Sequence, residues 1–285
     1  MMPPKAASPA RGALNLLASL LEARTGQQIG HDRAWRIESA LKPLMRERGY
    51  ETIEALAAAT AGASELATAA VNAMLNHESS FFRDGQVFDV VAEAARDYRA
   101  AAVGHRRRLR VWSAGCSTGQ EPVSLAITLA ETATGFDEDA AEIIATDVSD
   151  VALARARSGI YSQFEIQRGL SIRRMIGWFE PHGNEWAVKR DLLRHLQYRR
   201  MNLVADPLPG GRFDIVLCRN VLLYLSPDSR RLVLERIAST LRADGLLVLG
   251  AGETVIGQSD CFRPSARYRG LYELANAARP GIAAA

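Results

Sequence analysis

The stretch Val111-Trp-Ser-Ala-Gly-Cys-Ser-Thr-Gly-Gln-Glu-Pro-Val-Ser-Leu125 constrains the fold of this 285-residue chain more than any other. The apolar run that enters it, Leu109 to Trp112, has the character of a buried strand. Gly115 and Gly119 let the backbone turn tightly and approach a ligand with no Cβ in the way. Pro122 suits the first helical position, where its missing N–H leaves nothing unsatisfied. Leu125, Ile127 and Leu129 then continue as a helix able to pack on a sheet. Strand, glycine turn and helix in this order predict the opening unit of an α/β fold.

As a phosphate cradle the turn is poor. It matches neither GxGxxG nor GxxxxGK[ST], and Glu121 would repel a pyrophosphate. A carboxylate there suits a ligand carrying hydroxyls or an ammonium; a purely structural turn accounts for the same residues. The second apolar run, Glu142-Ile-Ile-Ala-Thr-Asp147, ends in an acid. At the carboxyl edge of a sheet Asp147 would accept hydrogen bonds from ribose hydroxyls, or else cap the helix begun by Val148-Ser-Asp150. Its separation from Gly115 exceeds the roughly 20 residues of the dinucleotide fingerprint, which disfavours NAD.

Four runs read as strands: Leu109 to Ser113, Glu142 to Thr146, Phe213 to Cys218 and Leu246 to Gly250. Helical patterns near residues 122–132, 150–157 and 227–241 alternate with them, the rhythm of a parallel, doubly wound sheet. Arg219 and Asn220 leave the third strand at the edge that also carries Gly115 and Asp147, where open sheets bind ligands. Ser226-Pro227-Asp228 then starts a capped helix. The interval from Gly159 to Met201, about forty residues, is long for a plain connection and predicts a short antiparallel excursion.

Before the first strand the chain is alanine-rich and helical in period from Leu14 to Leu75, and again from Gly85 to Arg99. Arg33, Arg36, Lys42, Arg46 and Arg48 give one segment a basic bias, which fits a solvated face or the docking of an acidic partner helix. The cluster His105-Arg-Arg-Arg-Leu-Arg110 reads as a linker. Between the helical stretches lies Asn76-His-Glu-Ser-Ser-Phe-Phe-Arg-Asp84. There Phe81 and Phe82 have the character of core or interface, and Arg83 is placed to pair with Glu78 or Asp84.

Composition excludes several classes. A formal net charge of +3 is too small a bias for nucleic-acid binding. Three cysteines, Cys116, Cys218 and Cys261, fit no zinc spacing and suggest a reducing compartment. No run approaches the ~20 apolar residues of a membrane helix, and no signal-type segment opens the sequence. A cytoplasmic protein without membrane insertion or metal is expected.

In combination and order, Glu-Ser-Ser-Phe-Phe-Arg-Asp, Trp-Ser-Ala-Gly-Cys-Ser-Thr-Gly-Gln-Glu-Pro, Ala-Thr-Asp, Met-Asn-Leu and Cys-Arg-Asn-Val-Leu-Leu-Tyr resemble the CheR-type chemotaxis receptor glutamate methyltransferases. The family uses S-adenosylmethionine (SAM) and releases S-adenosylhomocysteine. The resemblance implies an α/β, Rossmann-like class I methyltransferase sheet of seven strands, the last antiparallel near Gly270 to Leu274. It also implies a helical receptor-docking domain over residues 1–84, a catalytic domain over 85–285 and a β-subdomain inserted at about 159–201. Cofactor positions carried over are His77, Ser79, Arg83, Glu121, Asp147, Asn202, Leu203, Arg219 and Asn220, with Gly115 at the turn. Arg83 and Tyr224 are expected to serve catalysis. Arg83 would fix the cofactor carboxylate or guide the substrate carboxylate, and Tyr224 would orient its hydroxyl beside the transferred methyl.

The implied partner is the acidic cytoplasmic helical domain of a methyl-accepting chemotaxis receptor, docked by Arg33, Arg36, Lys42 and Arg46 of a monomeric enzyme. Two departures stand out: His77-Glu78-Ser79 replaces the family's frequent Asn-Glu-Thr, and Gln120 stands where a second glutamate is common. A receptor glutamate, with a reference pKa near 4.3, is already ionised at neutral pH, so no general base is required. A small-molecule methyltransferase would leave the helical domain and the excursion without a task. A non-catalytic SAM sensor would not need Arg83 or Tyr224, and a dehydrogenase on this fold is a more distant alternative.

Overall fold

A computed structural model describes residues 9–30, 34–101, 108–132 and 141–276. Arg33 and residues 105–107 of the basic cluster lie outside the described residues. The chain divides into two compact units, the first holding residues up to Asn76 together with Tyr224–Ser226, the second holding the remainder.

The first unit is built from helices α1 (Pro9–Thr25), α2 (Ala34–Arg48), α3 (Ile53–Gly62) and α4 (Ser64–Met74). Spacing of three or four residues puts Ala13, Leu17 and Leu21 of α1 and Ile37, Leu41 and Leu44 of α2 on buried faces, with Leu56, Leu66 and Ala70. Thr52 caps α3 by accepting from Ala55 N at 3.2 Å. Leu225 bridges to Gln27, and Tyr224 O accepts from Gln28 N at 2.7 Å, which ties residues 224–226 to this unit.

The second unit begins with α5 (Gln86–Ala101), β1 (Leu109–Ala114), α6 (Gln120–Thr132), β2 (Ala141–Asp147) and α7 (Asp150–Ser158). It continues through β3 (Ile160–Ser162), α8 (Gln163–Gln167), α9 (Ile172–Trp178), β4 (Phe179–His182), β5 (Glu185–Val188), α10 (Arg190–Leu193) and β6 (Leu196–Arg200). It ends with β7 (Phe213–Cys218), α11 (Pro227–Thr240), β8 (Leu241–Leu249), β9 (Phe262–Pro264) and β10 (Tyr272–Leu274).

Seven strands form the main sheet in the order β6-β2-β1-β7-β8-β10-β9. The ladders among β6, β2, β1, β7 and β8 are parallel, and β10 runs antiparallel to β8. The chain winds outward from β1 through β2 to β6, then returns to place β7 and β8 on the other side. The order therefore reverses between β1 and β7, and ligand crevices form at the carboxyl ends of strands at such a reversal. β7 is buried at every position and α6 is buried over nearly its whole length, as expected of elements covered on both sides.

The long interval after Gly159 folds as the three-stranded antiparallel sheet β3-β5-β4. It also returns β6 to the main sheet, a strand that sequence analysis did not separate from the excursion. The contact boundary falls after Asn76 rather than after Asp84. Phe81 and Phe82 explain the shift, because both are buried in the core of the second unit. Phe81 meets Tyr161 and Phe179 edge to face, with ring centroids at 4.9 and 5.5 Å.

Candidate active site

The turn after β1 holds Gly115 at φ +84° and Gly119 at φ +96°, conformations that strain any residue with a Cβ. A Cβ on Gly115 would meet Val221 Cγ2 at 2.4 Å, so this glycine admits a neighbour from the loop after β7. Both Gly115 N and Cys116 N donate to Thr146 O, at 2.8 and 2.9 Å, which sews the turn to the end of β2. Ser117 N donates to Asp147 Oδ2 at 2.8 Å, and Ser149 N donates to Asp147 Oδ1 at 2.9 Å. Asp147 thus fastens the glycine turn to the start of α7. The cap of that helix is Ser149, which accepts from Ala152 N, and not Asp147.

Glu121, on the first turn of α6, is half-buried between two donors. Its Oε1 accepts from Ser113 Oγ at 2.8 Å and its Oε2 from Arg219 Nη1 at 3.2 Å. Burial pushes its carboxyl above the ordinary range, while the Arg219 charge and the Ser113 hydroxyl pull it back. Asp147 is shifted upward for the same first reason, opposed by the backbone donors of Ser149 and Ser117.

Arg219 emerges from β7 into this cluster. Its Nη2 donates to Asp84 Oδ2 and to Arg83 O, each at 2.7 Å, and its Nε is buried with no hydrogen-bond partner. The segment 77–84 is also held by Ser117 Oγ, which donates to His77 O at 3.1 Å. Glu78 pairs with Arg168 at 2.8 Å, so the pairings open to Arg83 in the sequence have gone to other arginines. Arg83 itself is half-buried and donates to Glu78 O at 3.4 Å. His77 and Ser79 are half-buried beside it in sequence.

The remaining predicted residues sit on two loops. Met201 N donates to Asp147 O at 2.8 Å and brings Asn202 and Leu203 to the same edge. Asn202 is buried and builds its own turn, its Oδ1 accepting from Val204 N at 2.9 Å. Asn220 follows Arg219 at φ +58° and donates its N–H to Glu253 Oε2 at 2.7 Å.

Sequence reasoning passed over Ser113 and Glu253, and offered Asp84 only as a partner of Arg83 rather than of Arg219. Glu253 had one signal, a Gly250-Ala-Gly run after the last parallel strand. Tyr224 belongs to the first unit, where its hydroxyl accepts from Asn76 Nδ2 at 2.6 Å. The docking candidates Arg36, Lys42 and Arg46 also lie in that unit, on α2, with Lys42 and Arg46 exposed.

Two carboxylates, with no lysine on the glycine turn, form an acceptor set suited to a ligand that carries a ribose diol and positive charge. They do not suit a pyrophosphate. Among the described residues no group of three or more His, Cys, Asp or Glu is arranged to hold a metal ion. Likewise, no helix among them is long and apolar enough to cross a membrane.

The family model described as CheR methyltransferase, SAM binding domain, matches residues 77–270. A chemotaxis protein methyltransferase of Vibrio anguillarum is 37% identical over 248 residues, covering 85% of this chain and 89% of that protein. Chemotaxis protein methyltransferase 1 of Pseudomonas aeruginosa is 34% identical over 264 residues, covering 90% of this chain and 95% of that protein. A third such methyltransferase, from Salmonella typhimurium, is 35% identical over 189 residues, 64% of this chain and 62% of that protein. The matched span contains β1, its glycine turn, Asp147, Arg219 and the antiparallel excursion, and the chain belongs to the CheR family of SAM-dependent methyltransferases.

Proposed function

We propose that this protein transfers the methyl group of SAM to glutamate side-chain carboxylates in the cytoplasmic helical domain of methyl-accepting chemotaxis receptors. The methyl esters formed would serve sensory adaptation, and the enzyme would act as a cytoplasmic monomer. The observation that carries the reading is a pair of largely enclosed carboxylates at one sheet edge, Glu121 on the first turn of α6 and Asp147 at the end of β2. A carboxylate accepts the hydrogen bonds of a ribose diol, and Asp147 stands at the end of β2, the kind of strand end where an acid receives ribose in this fold class.

Bound SAM supplies an electrophilic methyl on sulfur. Gly115, Glu121, Asp147, Asn202, Leu203, Arg219 and Asn220 are assigned to cofactor binding, with His77, Ser79 and Arg83 completing the rim. Arg83 fixes the cofactor carboxylate or guides the incoming substrate carboxylate. Tyr224 orients the acceptor. Because a glutamate is ionised at neutral pH, the residues abstract no proton, and rate comes from in-line alignment and exclusion of water. The basic segment of α2, with Arg36, Lys42 and Arg46 and with Arg33 preceding it, is assigned to docking the acidic receptor bundle.

The test is transfer of tritiated methyl from SAM to membranes containing receptors. Label released by alkali as methanol marks a carboxyl ester. Alkali-stable label would move the acceptor to nitrogen and reject the glutamate assignment.

A further inference from the structure

We infer that Glu253 is a positioning residue for SAM binding, acting through Asn220; the inference rests on the assignment of Asn220 to the cofactor. The parallel ladder between β7 and β8 ends at the pair Cys218 and Leu249. Beyond it the ladder is not continued, and the amides of Asn220 and Gly250 need other acceptors. One carboxylate takes both of them: Glu253 Oε2 accepts from Asn220 N at 2.7 Å and from Gly250 N at 2.9 Å. The other oxygen, Oε1, accepts from Leu223 N at 3.3 Å. A tight turn, Glu253 N to Gly250 O at 2.9 Å, brings the side chain back over its own strand end.

The arrangement holds Asn220 in a conformation it would not keep unaided. At φ +58° it occupies the left-handed region, which asparagine tolerates better than most residues yet at some cost. Gly250 is part of the same device. A Cβ there would lie 2.8 Å from Asn220 Nδ2 and 2.9 Å from both Asn220 N and Glu253 Oε2. Three charge-assisted bonds to backbone thus lock the exit of β7, and a residue assigned to the cofactor inherits its direction from a carboxylate four residues past the end of β8.

Isothermal titration of S-adenosylhomocysteine into the full chain tests this. Glu253→Ala is expected to weaken binding about tenfold or more, the scale of one charge-assisted hydrogen bond. Glu253→Gln, whose amide oxygen still serves Asn220 N and Gly250 N, should stay within about threefold of the parent. In an Asn220→Ala background, Glu253→Ala should add nothing, because coupled residues are not additive. If Glu253→Ala does not fold, Glu253→Asp, which withdraws the carboxylate by one methylene, carries the same expectation. Unchanged affinity in folded Glu253→Ala or Glu253→Asp, a Gln variant as weak as Ala, or additive losses would overturn the inference while leaving Asn220 as a cofactor residue. Full affinity in Asn220→Ala itself would remove that assignment and the inference with it.

Discussion

Arg219 and Glu121 form an ion pair at 3.2 Å in which the arginine side chain is only 2% exposed and the glutamate 13%. Removing the cation strands a carboxylate in a poor solvent, a loss of about 3–5 kcal/mol in other buried pairs. Arg219→Ala should therefore destabilise the fold on that scale, and adding Glu121→Gln should recover part of it. Denaturant melts of the two variants check this. A single substitution costing under about 1 kcal/mol would show that the surrounding packing, not the ion pairs of Arg219, holds the corner.

The pH dependence of cofactor affinity follows from the raised carboxyls. Burial lifts both Glu121 and Asp147 above their ordinary values, so the folded, ligand-free protein holds protons there that an unfolded chain would already have released. Their contribution to stability consequently falls as pH rises from the unfolded values through the folded ones. A cationic ligand favours the ionised forms, so SAM affinity should climb over the same window and then level. Calorimetry in buffers of differing ionisation heat should detect proton release on binding just above the ordinary carboxylate range, which disappears once both groups are ionised in the free protein. Glu121→Gln should flatten the rise.

Phe81 anchors the segment 77–84 to the antiparallel excursion. It is 1% exposed, stacks edge to face with Tyr161 and Phe179, and its carbonyl lies 1.9 Å from where a Cβ on Gly169 would fall. Phe81→Ala should cost about 3–5 kcal/mol by urea titration. Gly169→Ala should also be damaging, because its φ of +108° and the Phe81 backbone both oppose a side chain.

Arg83→Ala should lower methylation at least ~100-fold, as does loss of a charge-orienting group elsewhere, with the thermal midpoint little changed. The structural ground is its light attachment, one 3.4 Å bond to Glu78 O. Near-normal turnover would remove Arg83 from the chemistry. Tyr224→Phe should reduce turnover more than SAM affinity; equal losses would place its hydroxyl on binding instead.

If α2 docks an acidic helix, methylation should fall steeply between low salt and ~0.5 M, and Lys42→Glu with Arg46→Glu should reproduce the loss at low salt. Both side chains are exposed, so the fold should tolerate the change. Salt-independent initial rates would reject that surface.

Much of this molecule was legible in its residues because strands buried on both faces leave continuous apolar runs. Phe213 to Cys218 could be read for that reason. Leu196–Arg200 could not, since it is an edge strand with Gln197, Arg199 and Arg200 turned outward, and polarity hides an extended segment. The three-residue strands Phe262–Pro264 and Tyr272–Leu274 are shorter than any periodicity can register, and only family resemblance pointed to the second. At the site, glycines and acids at strand ends were visible. The partners of Arg219 were not, because Asp84 and Glu121 are remote from it along the chain. Glu253 escaped notice because it binds main-chain amides, which carry no residue-specific signature.

Asp147 ties together two stretches of main chain, one oxygen on the amide of Ser117 and the other on that of Ser149. The acid assigned to reading a sugar is thus also a rivet of the frame around it. Substituting this acid would therefore loosen the frame along with any contact to a sugar, so the two losses come together at this position.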